Sequence, residues 1–105
     1  MKSQNHAAEK MFGAFAPKLV ELTDKVLFDD VWERPELSKR DRSLITVSAL
    51  VALNRPDQLR HHMGRAVDNG VTQEELKEAI THLAFYSGWP CAMTAMTIAK
   101  ELFTK

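Results

Sequence analysis

The sequence predicts an all-α protein, a bundle of about six helices. Two observations carry this. No segment alternates apolar and polar residues over the length of a strand, and every long segment repeats apolar residues at spacings of three and four. Helix punctuation then falls between those segments. Pro17, Pro56 and Pro90 suit first helical turns, and Gly70 and Gly88 suit helix ends. A chain of 105 residues reads as a single domain over 1–105.

Residues of about 4–14 predict a first helix with Ala8, Met11, Phe12 and Phe15 on one side. Pro17 opens a second, with Leu19, Leu22, Val26 and Leu27 expected inward and Lys18, Glu21, Asp24 and Lys25 outward. Val31 to Leu37 reads as a connector, because Pro35 biases Arg34 toward extended backbone. Ser38 followed by Asp41 predicts the start of a central helix running to about Leu53. That helix is apolar on nearly every side and is therefore expected in the middle of the structure. Pro56 opens the next helix and Gly70 closes it. Thr72 with Glu75 three residues later forms a capping box for a helix reaching about Ser87. Pro90 starts the last helix, which packs Ala92, Ala95, Met96, Ala99, Leu102 and Phe103.

Lys and Arg number 14, matched by 14 Asp and Glu, and the basic residues are dispersed. No basic stripe suits a phosphate backbone, so no nucleic-acid partner is expected. The longest apolar run falls well short of the roughly 18–20 residues that span a bilayer, so no membrane partner is expected either. Met1 to His6 lacks the apolar core of a signal peptide, and a single cysteine permits no internal disulfide. A cytoplasmic protein is the resulting expectation. With 45% hydrophobic residues on so short a chain, a homo-oligomer is expected to cover the surplus apolar surface.

On the Pro56–Asn69 helix, His62 falls in the stripe of Leu59, Met63, Ala66 and Val67, whereas His61 is turned away by about 100°. Adjacent histidines on a helix do not share a face, so no metal pair is expected from them. Glu75, Glu78, His82 and Tyr86 lie in one line on the following helix. That line can wall a pocket, and it also suits an ordinary solvated face. Arg42 can grip a carboxylate with its planar fork. Cys91, at the start of the last helix, is either a small buried hydrophobe or a thiol activated by the helix terminus.

Several blocks now stand in a recognisable order. They are Trp32-Glu33-Arg34-Pro35-Glu36-Leu37, Arg42-Ser43-Leu44, Asp57 to His62, Asn69 to Glu78, and Tyr86-Ser87-Gly88-Trp89-Pro90. Together they resemble the carboxymuconolactone decarboxylase family over about Met11 to Phe103. The resemblance implies an all-α fold assembled as trimers or hexamers. It implies cofactor-free loss of CO2 from a carboxylated γ-lactone or related small carboxylate in aromatic degradation. By position, Arg42, His62, Glu78, His82 and Tyr86 carry over as catalytic candidates. Arg42, Trp89, Met93, Gly88 and Pro90 carry over as substrate-binding candidates. Met93 stands where an asparagine is expected, and Trp89 is bulkier than the expected small aliphatic residue.

The other branch of the superfamily, similar to the alkylhydroperoxidase reductant protein, needs a CxxC pair and an upstream glutamate. Those positions hold Arg55, Gln58 and Ser43 here, so its thiol–disulfide cycle has no counterpart in this chain. The decarboxylase reading assigns Arg42 to the substrate carboxylate and His62 to proton delivery, relying on a near-neutral imidazole. Tyr86 or His82 donates to the lactone oxygen and Glu78 orients His82. A ligand-binding oligomer without catalysis and a Cys91-dependent peroxidase are the alternatives.

Overall fold

The computed structural model describes residues 7–104, so the part of the first predicted helix before Ala7, and the Met1–His6 segment, lie outside the described residues. Six α-helices and no strand occur among the described residues: α1 Ala7–Phe12, α2 Pro17–Glu21, α3 Lys39–Leu53, α4 Pro56–Asp68, α5 Gln73–Ser87 and α6 Trp89–Phe103. A π-helical stretch, Leu22–Phe28, continues α2, and Val31–Glu33 forms a 3-10 turn. Contacts divide the chain into two compact units, one up to Lys39 and one from Arg40 onward.

In the first unit, Phe28 and Trp32 are buried and their rings lie 6.1 Å apart. Here the sequence reading needs correction. Leu19, Leu22, Val26 and Leu27, expected inward, are exposed, and Asp24, expected outward, is only 6% exposed. Met11 and Phe15 are exposed as well, while Ala8 is buried. From Leu22 to Phe28 the wider π-helical turn rotates successive side chains away from a 3.6-residue stripe, which accounts for Leu22, Asp24, Val26 and Leu27 but not for Leu19, Met11 or Phe15, which precede it.

The second unit holds one apolar core. Val47 and Val51 of α3 meet Leu59, Met63 and Ala66 of α4, Leu76, Ile80 and Ala84 of α5, and Ala92, Ala95, Ile98 and Ala99 of α6. Helix α3 contributes only one face to this core. Ile45 and Leu53 are exposed, so the expectation of a helix enclosed on every side does not hold within one chain. Ser43 is fully buried and its hydroxyl accepts a 2.9 Å hydrogen bond from the Asn69 side-chain amide, linking the start of α3 to the end of α4.

Helix boundaries follow local chemistry. Thr72 Oγ1 accepts from the Glu75 amide at 3.0 Å while Glu75 Oε1 accepts from the Thr72 amide at 2.9 Å, a complete capping box. Gly88 alone separates α5 from α6, and its φ of +102° is a conformation that side-chain-bearing residues rarely adopt. The last helix begins at Trp89, one residue before Pro90, which places Pro90 within the first turn, where its missing N–H is harmless.

Candidate active site

Helices α3 and α5 enclose a groove of about 380 Å³. Its walls are Arg40, Leu44 and Ser48 from α3 and Glu75, Glu78, Ala79, His82 and Leu83 from α5. The α3 residues recur at intervals of four and so lie in one line along the helix. On α5, Glu75, Glu78 and His82 follow the line expected from their spacing. The floor is apolar, from Leu44, Ala79 and Leu83, and the rim is charged.

Arg40 is the cation of this groove. Its Nη1 donates to Asp41 Oδ1 at 2.9 Å, and its Nη2 donates to Glu75 Oε2. Glu75 thus serves the capping box with one oxygen and Arg40 with the other. The Thr72 amide, and then the Arg40 charge, hold the Glu75 carboxyl below the usual carboxylate range. Further along α5, the Tyr86 ring stacks on His82 with centroids 4.9 Å apart and is 77% exposed, outside the groove walls.

The remaining sequence candidates stand elsewhere. Arg42 is half-buried on α3, turned by about 200° from Arg40, and does not line the groove. His62 is half-buried on α4, with its ring edge-on to His61 at 5.1 Å, and it too is absent from the groove walls. Burial, then the neighbouring His61 and Arg65 charges, push the His62 pKa down to about 4. The ring is therefore neutral at pH 7, which departs from the near-neutral imidazole expected of a proton donor. Trp89 and Met93 line a second, apolar groove of about 260 Å³ between α5 and α6, together with Phe85 and Met96. Gly88 and Pro90 form the joint beside it.

Sequence reasoning missed Arg40 and Ser48. The signal was present in the four-residue spacing of Arg40, Leu44 and Ser48, which matches the face set by Glu75, Glu78 and His82. Ser43, at the position where the peroxidase-like branch carries its glutamate, is a buried hydroxyl engaged with Asn69. Cys91 is half-buried, its Sγ 3.9 Å from the Ala52 carbonyl oxygen. Among the described residues no cluster of three or more His, Cys, Asp or Glu is arranged to hold a metal ion, and no helix is long and apolar enough to cross a membrane.

The second unit is thus all-α, with a small groove lined by an arginine, two glutamates and an imidazole. The chain belongs to the carboxymuconolactone decarboxylase family, whose profile matches residues 17–101. It is 47% identical over 74 residues to 4-carboxymuconolactone decarboxylase of Acinetobacter baylyi, covering 70% of this chain and 55% of that protein. It is 35% identical over 81 residues to nitrosuccinic acid decarboxylase npaB of Metarhizium robertsii, covering 77% of this chain and 57% of that protein. The chain thus spans little more than half the length of these two relatives.

Proposed function

We propose that this protein is a cofactor-free decarboxylase acting on a small carboxylated molecule, with a carboxylated γ-lactone as the best-fitting substrate class. The observation that carries the reading is the meeting of Arg40, Glu78 and His82 in one groove with an apolar floor. Both named relatives are decarboxylases, which supports the reaction type.

Loss of CO2 leaves an electron pair on the substrate. In a conjugated lactone that pair flows toward the ring carbonyl, and a proton returns to carbon to complete the reaction. The protein must hold the substrate, favour charge on the lactone oxygen and deliver the proton. His82 is the groove's proton-transfer residue, since an imidazole is the side chain most often used for that step. Glu78, one turn earlier on the same face, orients the imidazole. Tyr86, stacked on His82, restricts the ring's rotation. His62 and Arg42 lie outside the groove walls of a single chain. Their contribution to catalysis requires a second copy to bring them to it.

A homo-oligomer, trimer or hexamer, is part of the proposal. Ile45 and Leu53 on α3, and Phe85, Trp89 and Met93 on α5 and α6, are large apolar side chains left exposed, and further copies of the chain would cover them. Sedimentation at micromolar concentration should give a multiple of 11.9 kDa. For the chemistry, the test is CO2 release from carboxylated lactones by wild type and His82→Ala. The variant should lose at least about a hundredfold in kcat with unchanged circular dichroism. Wild-type turnover in His82→Ala would remove that residue from the mechanism, and binding without CO2 release by wild type would favour a non-catalytic ligand carrier.

A further inference from the structure

Building on the decarboxylase reading, we infer that Arg40 is the residue that anchors the non-reacting carboxylate of the substrate, with Asp41 as the counter-ion that the substrate displaces. The guanidinium already holds two carboxylate oxygens, one on each terminal nitrogen. Both are the chain's own side chains, and they show that each terminal nitrogen is presented where a carboxylate oxygen can reach it.

The two resident partners are not equivalent. Glu75 is fixed twice, by Arg40 and by the Thr72 amide at 2.9 Å, so it stays and holds the Nη2 side. Asp41 neighbours Arg40 in sequence, does not line the groove, and is about half-exposed. The two pairs are similarly exposed and such pairs contribute little, so the Nη1 side, which is not tied to the capping box, is where a ligand carboxylate can take the place of Asp41. The exchange leaves Arg40 oriented, because Glu75 still positions it.

Charge makes this residue decisive for specificity. Glu75 and Glu78 give the groove more negative than positive fixed charge. An anion entering it is repelled unless it replaces a carboxylate already held by the guanidinium. The groove therefore selects molecules whose second acid group reaches Arg40 while the reacting centre lies beside His82. Lysine at this position keeps the charge but loses the planar fork.

Glutarate, an unreactive dicarboxylate, serves as the probe. Its binding is measured by calorimetry or NMR shift titration, alongside KM and kcat on a carboxylated lactone. Arg40→Gln should weaken glutarate and raise KM by roughly tenfold to a hundredfold, with kcat within about twofold. Arg40→Lys should recover part of the loss. Arg60→Gln, which breaks only the surface pair with Glu101, should bind as wild type. Unchanged glutarate binding in Arg40→Gln overturns the inference, as does a wild type that binds no glutarate, or a loss that follows Arg42→Gln instead. Arg40-dependent glutarate binding without CO2 release from any lactone leaves the anchor standing and removes the decarboxylase reading. CO2 release with an unchanged KM in Arg40→Gln does the reverse.

Discussion

Lowering the pH from 7.5 to 5 should destabilise the fold through His62. In the folded chain, burial first, and then His61 and Arg65, hold this imidazole near a pKa of about 4, against 6.5 when it is unperturbed. The folded state thus takes up the proton less readily than the unfolded chain. Stability is complete above about pH 6.5 and declines as the pH falls toward 4. The full difference corresponds to about 3.4 kcal/mol, at 1.36 kcal/mol per unit, and is reached only below about pH 4; the ceiling at pH 5 is about 2 kcal/mol. Because the ring is only half-buried, water screens the charged form, and a realistic loss is about 1 kcal/mol. Urea unfolding at fixed protein concentration would resolve this as a midpoint shift of about 1 M. Burial also lowers the pKa of His61, which pulls in the same direction, so the comparison must be with His62→Gln. That variant should keep most of its stability between pH 7.5 and 5. A variant whose pH dependence overlays wild type, or an NMR titration with His62 midway near 6.5, would refute the reasoning.

Gly88→Ala should cost about 1–3 kcal/mol, because the joint between α5 and α6 needs a φ of +102°. A thermal melt reads this as a drop of several degrees, and an unchanged midpoint would mean that the joint relaxes freely. Cys91→Ser should leave CO2 release within about twofold of wild type, whereas a thiol peroxidase would lose its activity altogether, since the thiolate is the nucleophile.

The helices of the second unit were legible because their boundaries are written in local chemistry. Pro56, the Thr72–Glu75 box and the Gly88-Trp89-Pro90 joint each act within a few residues, and the structure puts the ends within one or two positions of them. The α5 ridge was legible for the same reason, since a spacing of three and four fixes which residues share a face. The first unit was less so. An apolar stripe identifies a face that avoids water but not what covers it, and the π-helical turn through Leu22–Phe28 altered the period on which the stripe was drawn. Arg40 went unmarked because family position pointed to Arg42, while the face shared with Leu44 and Ser48 belongs to Arg40. The depressed His62 pKa depends on how deeply α4 is embedded and on Arg65 one turn away. Depth of embedding is a property of packing that the spacing of residues does not carry.

The Glu75 carboxylate divides its two oxygens between a helix start and the groove arginine, Arg40, and this couples helix stability to the shape of the groove. Substitutions there to change ligand preference would also loosen the first turn of α5, so variants that gain a new ligand would tend to be less robust. Glutamine is the exchange that escapes this, because its amide oxygen can still serve the Thr72 amide. An effort to redirect this scaffold would therefore begin with Glu75→Gln and leave the remaining alternatives aside.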